Sequence, residues 1–447
     1  MSATSELTVG IDIGTSSVKA VAADADGAVV ARARIPHPFR VPSPLRFEHD
    51  AAVAWLDGPR RALEALGEIS PRAVSVAAMV PSLTAVDDDG VPRTPGLLYG
   101  DERGHGAEHG AVAEVGELAQ FLRWQVEQLP GARGYWMAQA VANHALTGEA
   151  VISTTVGSTA APLADRRSWV RGLVEGAGAR VEQLPAIARS GTPVGAVRGY
   201  DDCVLEGGTI DALAEQLVAG ADEPGDVLAI LGTTLIVWAV TADPIEHSQY
   251  YCVPHTAPGN RWIFGGPSNA GGLFLEWVDR LGAGAGPVPE PHAIPVWAPY
   301  PRGERVPLND PSRRAQLVDL DLTHGAPAIR RAAFEASGFV ARRVIDVSPT
   351  RARRIVAVGG GTRVAGWVEA LADTTGLPVH VAGVPEGGAL GAAFLARMAA
   401  GLESSTADAS RWARFARVVD PRPEWVDAAT GRYARFLEIA GVDTSPV

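Results

Sequence analysis

The sequence predicts an α/β protein that contains two copies of one fold. Its 447 residues exceed what one hydrophobic core usually serves, so two domains of about 200 residues are expected. Strand-like and helix-like segments alternate along the chain. Two similar stretches, GIDIGTSSVKAV and LAILGTTLIVWAV, each place a Gly-Thr-Ser/Thr turn between two apolar runs. We therefore expect a duplicated fold, with domains at 1–242 and 243–447 and a cleft between them.

The N-terminal elements begin with a strand–turn–strand unit. LTVGIDIG and TSSVKAVAAD predict two strands, and DADG predicts the next hairpin turn. AAVAWLDGPRRALEALGEI carries Val53, Leu56, Leu63 and Leu66 at helical spacing, and AVSVAAMV predicts a buried strand. GELAQFLRWQVEQL and GYWMAQAVANHALTG predict two further helices, of which the second ends at Gly148.

The remaining elements repeat this pattern. GGTIDALAEQLVAG predicts a helix with Thr209 as its N-cap and Gly220 as its C-terminal stop. EPGDVLAILGTTLIVWAV predicts another strand–turn–strand unit, and RRIVAVGGG predicts a strand that ends in a glycine turn. GGLFLEWVDRL, PAIRRAAFEASGFVARRVID and WVEALADTTG predict helices. AIPVWAPYPRGERVPLNDPSRRA shows no periodicity and is rich in Pro and Arg, so we expect an ordered surface loop there.

Composition excludes several classes of partner. The net charge of −12 argues against nucleic acid, whose phosphates require a basic face. Two cysteines, Cys203 and Cys252, are too few for a disulfide framework and favour a reducing compartment. The N-terminus lacks the pattern of a signal peptide, and the longest apolar stretch, Val227 to Val240, is shorter than the ~20 residues of a membrane helix. We expect a cytoplasmic protein that binds neither nucleic acid nor membrane.

The stretch GIDIGTSSVK suggests a site for phosphates and a metal. Asp12 lies in an apolar strand, where a carboxylate is costly unless it is paired or near a cation. Backbone N–H groups in glycine turns bind anions, and small hydroxyl side chains add donors without crowding. Asp12 could therefore hold Mg²⁺, and Lys19, the only lysine of the chain, could neutralise phosphate charge. An ordinary hairpin with a solvated lysine remains the alternative.

Two other motifs point to the same chemistry. In GGTID, Asp211 opens an apolar helix after two glycines, which suits a general base for a hydroxyl group but also suits a simple favourable interaction with the helix dipole. In VGGGTRVAGW, the third glycine position of a dinucleotide fingerprint is Val364, so a Rossmann site is disfavoured. A P-loop is excluded because Lys19 is the only lysine. The glycine turn still suits the close approach of a nucleoside.

Together these residues resemble the FGGY family of carbohydrate kinases over nearly the whole chain. The likeness rests on GIDIGTSSVK, FEHD with Trp55, LLYGDERG, GGTIDALAEQLVAGADEPGD with LGTT, GGLFLEW, PYPRGERVPLNDP, VAVGGGTRVAGW and EGGALGAAFLA, in this order. The resemblance implies two ribonuclease-H-like (actin/hexokinase-like) domains and Asp211 as the catalytic base. It further implies a set of cofactor residues: ATP phosphates at Gly14, Thr15, Ser16, Ser17, Lys19, Gly232, Thr233 and Thr234, adenosine at Gly272, Gly359, Gly360 and Gly361, and Mg²⁺ at Asp12 and Asp211.

The sugar side departs from the family's patterns. LLYGDERG retains Asp101 and Arg103 of a Trp-x-Asp-x-Arg stretch, but AMVPS places Met79, Val80 and Pro81 where xylulokinases have Gln-Met-His and glycerol kinases have polar residues. Apolar groups cannot replace hydrogen bonds to sugar hydroxyls, so we expect an altered substrate pocket. Its candidate residues are Met79, Val80, Pro81, Asp101, Arg103 and Asp211.

The favoured function is ATP-dependent phosphorylation of a small sugar or polyol. A nucleotide-binding sensor that has lost kinase activity is the alternative that AMVPS favours and Asp211 opposes. An actin- or chaperone-like ATPase shares the fold, but GGTID and GDERG oppose it. A homodimer is left open.

Overall fold

The computed structural model describes residues 6–104, 116–165, 167–256, 259–282, 284, 286–287 and 289–441. They form two compact units. The first comprises Met1–Val218 and Glu386–Trp412, and the second comprises Ala219–Pro385 and Ala413–Val447. The compact units divide after Val218, and the later segment Glu386–Trp412 belongs to the first unit. The expected domain boundary between residues 242 and 243 stays a prediction.

The strands of the described residues are named in chain order. They are β1 (Thr8–Ile13), β2 (Ser17–Ala23), β3 (Val29–Pro36), β4 (Phe39–Ser43), β5 (Arg46–His49), β6 (Ala73–Ala78), β7 (Ser82–Val86), β8 (Gly96–Leu98), β9 (Gly134–Trp136), β10 (Val151–Ser153), β11 (Ala186–Ala188), β12 (Pro193–Ala196), β13 (Val204–Glu206), β14 (Thr209–Ile210), β15 (Asp226–Leu231), β16 (Leu235–Thr241), β17 (Tyr251–Pro254), β18 (Trp262–Ser268), β19 (Val296–Ala298), β20 (Gln316–Val318), β21 (Arg354–Val358), β22 (Val379–Ala382) and β23 (Phe415–Val419).

The α-helices are named in the same way. They are α1 (Gly58–Glu64), α2 (Glu117–Gln128), α3 (Ala138–Thr147), α4 (Thr154–Gly157), α5 (Arg171–Gly176), α6 (Asp211–Ala219), α7 (Gly272–Arg280), α8 (Ala326–Val347), α9 (Ala365–Thr375), α10 (Gly387–Ala399) and α11 (Pro423–Ala440). A π-helical segment, Ala52–Asp57, precedes α1, so the predicted helix there begins with wider turns. In the described residues no helix combines the length and apolar character that a membrane crossing needs.

Each unit contains the same arrangement of five strands. The first sheet has the order β3-β2-β1-β6-β13, extended by β12, and the second has β18-β16-β15-β21-β22, flanked by β17 and β23. Strands β1, β2 and β3 are antiparallel neighbours, and β6 pairs in parallel with β1. Likewise β15, β16 and β18 are antiparallel neighbours, and β21 pairs in parallel with β15. This repeat confirms the predicted duplicated α/β fold. It places one hydroxyl-rich turn between β1 and β2 and the other between β15 and β16.

Strand β1 is covered by a helix of its own unit. All six residues of Thr8–Ile13 are buried, as expected for a central strand. A Cβ atom on Gly10 would lie 1.7 Å from the carbonyl oxygen of Ala389, in the first turn of α10. The absence of a side chain at Gly10 therefore lets α10 lie directly on β1. Because the N-terminal turn of α10 lies against β1, Gly388 is next to Asp12.

The predicted start of α6 is wrong. The helix begins at Asp211, and Thr209 is not its N-cap because Thr209 and Ile210 pair with Ala77 and Ala78 of β6 as a short strand. Pairing with a neighbouring strand thus overrides the local capping preference of Thr. The predicted stop is confirmed, since α6 ends at Ala219 and Gly220 has a φ of 75°.

The Pro/Arg-rich segment is not a surface loop. Strands β19 and β20 pair with each other, and Tyr300, Glu304 and Val306 between them are buried. The sequence shows no period because the chain here is irregular, and its burial depends on hydrogen bonds to other segments of the second unit. The prediction of a surface position is therefore wrong for this stretch.

Candidate active site

The first unit contains a buried carboxylate beside the only lysine. Asp12 and Lys19 are register partners across β1 and β2, and Lys19 Nζ donates to Asp12 Oδ2 at 3.1 Å. Only 9% of the Asp12 side chain is exposed, against 32% for Lys19. The charge of Asp12 raises the pKa of Lys19 above its usual value, against the opposing effect of burial. The lysine is thus a paired cation rather than a solvated one.

The second carboxylate oxygen of Asp12 has no hydrogen-bond partner among the described residues. Oδ1 is buried and makes no hydrogen bond within the part of the chain that the structure describes. A buried carboxylate oxygen without a partner is costly, and a cation would satisfy it. In the described ranges no three His, Cys, Asp or Glu side chains converge as a ligand set. This does not count against Mg²⁺, which is usually held by one or two carboxylates together with phosphate oxygens and water.

Three predicted residues lie at the carboxyl ends of neighbouring parallel strands. Strand β6 pairs with β1 on one side and with β14 on the other, so Ile13, Ala78 and Ile210 end at the same edge of the sheet. Asp12 lies in β1 just before that edge, Met79 follows β6, and Asp211 follows β14. The carboxyl ends of parallel strands are where α/β proteins bind ligands. The fold therefore brings the predicted base and the altered AMVPS segment to one place.

Sequence reasoning missed a carboxylate at this edge. Glu215 lies one turn after Asp211 on α6, and a Cβ atom on Gly387 would lie 2.7 Å from its Cγ. Burial raises the pKa of Glu215 to about 8; Lys19 opposes this rise, and the charges of Asp12 and Asp211 add to it. The spacing of four residues from Asp211 could have indicated it, because residues at i and i+4 share a helix face.

Buried histidines hold the first hydroxyl-rich turn. Trp55 Nε1 donates to His49 Nδ1 at 3.0 Å, and His49 Nε2 lies 2.8 Å from the carbonyl oxygen of Thr15. Burial, helped by the neighbouring His37, lowers the pKa of His49 to about 3. The ring is therefore neutral and donates its Nε2–H to Thr15. This explains His49 of the FEHD motif and Trp55, which together fix the backbone of the turn at Thr15.

In the second unit, three glycine segments meet at the end of β15. Gly272 N donates to the carbonyl oxygen of Gly232 at 2.8 Å, and Leu273 N donates to that of Thr233 at 3.1 Å. Cβ atoms on Gly359 and Gly361 would lie 3.0 and 2.7 Å from the carbonyl oxygen of Leu231. The candidate phosphate turn and both candidate adenosine segments thus form one cluster, in which side chains would prevent the close approach of backbones.

The buried segment PYPRGER supports this cluster. Glu304 Oε2 accepts a hydrogen bond from Ser268 Oγ at 2.7 Å, and Oε1 accepts one from Asn269 N at 2.8 Å. These residues end β18 and lead into Gly271 and α7. Burial raises the pKa of Glu304 to about 7, opposed by its hydrogen bonds. Glu304 therefore anchors the chain that carries Gly272, a role that the sequence alone did not indicate.

The predicted substrate residues divide into two groups. Asp101 is fully buried and accepts a hydrogen bond from Phe47 N at 2.6 Å. It also accepts two from the guanidinium of Arg103, from Nε at 2.9 Å and from Nη2 at 2.6 Å. Nη1 of Arg103 donates to Glu48 Oε2 at 2.6 Å. Met79 is 3% exposed and packs in the core, whereas Val80 and Pro81 are partly exposed. Contact of any of them with a sugar stays a prediction.

The two units have the actin/hexokinase-like fold, and comparison with known proteins shows the family. Residues 7–117 match the N-terminal domain of the FGGY family of carbohydrate kinases, and residues 227–400 match the C-terminal domain of that family. The xylulose kinase of Escherichia coli is 26% identical, covering 89% of this chain and 91% of its own length. The gluconokinase of Bacillus subtilis is 24% identical, covering 88% and 87%.

Solved structures agree in fold. The xylulose kinase of Rhodospirillum rubrum has 24% identity and a TM-score of 0.77, with 97% of this chain and 98% of that chain covered. The chain therefore belongs to the FGGY family of carbohydrate kinases. It is a kinase of a small sugar or polyol, and the phosphate donor of this family is ATP.

Proposed function

We propose that the chain transfers the γ-phosphate of ATP to a hydroxyl of a small sugar, sugar acid or polyol, with Asp211 as the general base and Asp12 at a Mg²⁺ site. The observation that supports this most is the placement of Asp211 at the first position of α6, at the same sheet edge as the buried Asp12. A structural role for Asp211 alone would not require a second carboxylate nearby.

The chemical step is an in-line displacement. Asp211 accepts the proton of the substrate hydroxyl, the oxygen forms a bond to the γ-phosphorus, and the bond from that phosphorus to the leaving oxygen of ADP breaks. Backbone N–H groups and hydroxyls of Gly14–Ser17 and of Gly232–Thr234 bind phosphate oxygens. Asp12 and Asp211 would hold Mg²⁺, which neutralises charge on the phosphates when bound. Lys19 holds the Asp12 carboxylate in place through its hydrogen bond to Oδ2.

The substrate side is expected to differ from that of xylulokinases and glycerol kinases. The backbone that follows β6 carries apolar side chains beside Asp211, so fewer hydrogen bonds to sugar hydroxyls are available there. We propose a deoxygenated, less hydroxylated or larger substrate. A cytoplasmic location and a homodimer stay predictions.

A coupled assay of ADP release tests this function. The purified chain is incubated with ATP, Mg²⁺ and a panel of ketoses, aldoses, polyols and sugar acids that includes D-xylulose, D-gluconate and glycerol. We expect sugar-dependent ADP release with at least one member, and slow turnover of D-xylulose and glycerol. Binding of ATP without ADP release on any member would instead favour a nucleotide-binding regulator. Efficient turnover of D-xylulose would contradict the altered pocket.

A further inference from the structure

A fully buried glutamate lies directly before the GGTID motif, and the mechanism above does not use it. Glu206, the last residue of β13, has no exposed surface. Its Oε2 accepts hydrogen bonds from Ser75 Oγ at 2.8 Å and from Gly208 N at 2.7 Å, and its Oε1 accepts one from Gly191 N at 2.9 Å. Burial raises its pKa, and the three donors oppose that rise. Such a group is costly to bury and therefore calls for a function.

The partners of Glu206 show where it acts. Gly208 has a φ of 94°, a backbone conformation that its hydrogen bond to Glu206 stabilises. Two amides of helix α3 hold the neighbouring carbonyls: Asn143 Nδ2 donates to Gly207 O, and Gln139 Nε2 donates to both Thr209 O and Ala78 O, all at 3.1 Å. The loop 207–209 is thus fixed by buried side chains on both its N–H and C=O groups, and it leads directly into Asp211.

We propose that Glu206 is a positioning residue for Asp211. By holding Gly208 against β6, it fixes the path of the loop and hence where the first residue of α6 presents its carboxylate. The inference rests on the proposed role of Asp211 as the base. A displacement of about 1 Å in a reacting group can cost about 100-fold in rate, so a buried anchor five residues before the base can affect catalysis without touching substrate.

The first test is Glu206→Gln, which keeps the shape and one acceptor oxygen. On the panel substrate turned over fastest, we expect kcat to fall about 10- to 100-fold while the KM for ATP changes less than twofold. The matched control is Gln183→Ala, which removes another buried anchor of the first unit, bonded to Ala132 O and Arg180 N, away from the loop. The control should lower the melting temperature and leave kcat near wild type. A loss of kcat no larger than the control's would overturn the proposal.

Ser75→Ala provides a milder variant if Glu206→Gln does not fold. It removes one donor to Glu206 and leaves the carboxylate in place. We expect a smaller loss of kcat in the same direction, with the KM for ATP again unchanged. An unchanged kcat in Ser75→Ala, or an equal change in kcat and in nucleotide affinity, would contradict a role confined to the base.

A double-mutant cycle separates this proposal from the proposed function. If Glu206 acts through Asp211, then Glu206→Gln should lower kcat less than twofold in an Asp211→Asn background. An equal loss in both backgrounds, with Asp211→Asn itself impaired, would reject the positioning role but keep the base. Near-normal turnover of Asp211→Asn would reject the base itself and remove the foundation of this inference.

Discussion

At the scale of single residues, the environment of Asp12 decides what its carboxylate can do. Lys19 satisfies one oxygen, and the other is buried without a hydrogen-bond partner among the described residues. Gly388 approaches the carboxylate so closely that its absent side chain would lie 3.2 Å from Cγ. Oδ1 is therefore the oxygen of Asp12 that a bound cation would satisfy.

Replacing Asp12 by Asn should weaken the apparent affinity for Mg²⁺. Asn is similar in shape but neutral, so it loses both the ion pair and the anionic ligand. We expect the concentration of Mg²⁺ at half-maximal activity to rise about tenfold or more, measured by ADP release across a Mg²⁺ titration. The control is Asp24→Asn, at a partly exposed carboxylate that accepts hydrogen bonds from Asp26 N and Ala28 N in the next hairpin turn. Identical titrations for the Asp12 variant and wild type would exclude Asp12 from the metal site.

Much of this residue-scale picture could be predicted from sequence, and some could not. An acidic residue in an apolar strand predicts a buried carboxylate, and the structure confirms this for Asp12. Glu215 and Glu206 were missed because their importance depends on which strands and helices become neighbours. Glu215 matters because α10 packs against α6, where Gly387 lies beside it, and that packing is not encoded in a local pattern.

At the scale of elements, close packing of α10 on β1 builds the site edge. Gly10→Ala should therefore destabilise the first unit, because the new Cβ would lie 1.7 Å from the backbone oxygen of Ala389 and the helix would have to move. Overpacking of this kind costs about 1–3 kcal/mol, which a thermal melt resolves. Gly172→Ala is the matched control, since its Cβ meets nothing within 4 Å. Equal melting temperatures for the two variants would contradict this packing.

The Glu304 anchor should give stability a distinct dependence on pH. Its folded-state pKa is about 7 against an ordinary 4.5, so the folded protein binds the extra proton between these values. Stability from this group is therefore complete below pH 4.5 and is lost as the pH rises through 7. Relative to Glu304→Gln, wild type should lose about 3 kcal/mol of unfolding free energy over this window, measured by denaturant unfolding at several pH values. Parallel pH profiles for the two proteins would contradict the burial of an ionisable group.

Elements with a strong period were predictable, and irregular ones were not. The strands around both hydroxyl turns and the long helix α8 follow their hydrophobic patterns, and the structure confirms them. The start of α6 was mispredicted because Thr209 pairs with β6. The buried position of Tyr300 and Glu304 was missed since a segment without period gives no indication of burial.

At the scale of the whole molecule, the duplication gives each unit one hydroxyl-rich turn. If both turns bind ATP, a bulky side chain in either should weaken binding. Thr15→Leu and Thr233→Leu are each expected to raise the dissociation constant of ATP, measured by calorimetry, at least about tenfold, which corresponds to 1.4 kcal/mol. Thr192→Leu, at a partly exposed threonine outside both turns, serves as the control. Unchanged affinity in both turn variants would reject phosphate binding by these turns.

The most direct test of the whole account is turnover by Asp211→Asn. Asn keeps the shape of the side chain, so folding and ATP affinity should stay near wild type, but it cannot accept a proton at neutral pH. General-base assistance is worth about 10²–10⁴-fold, so kcat on the fastest panel substrate should fall by about that factor. If Asp211 only stabilises the start of α6, the variant should instead lose about 0.3–1 kcal/mol of stability and keep its turnover. Turnover within a few-fold of wild type, with a lowered melting temperature, would contradict the mechanism.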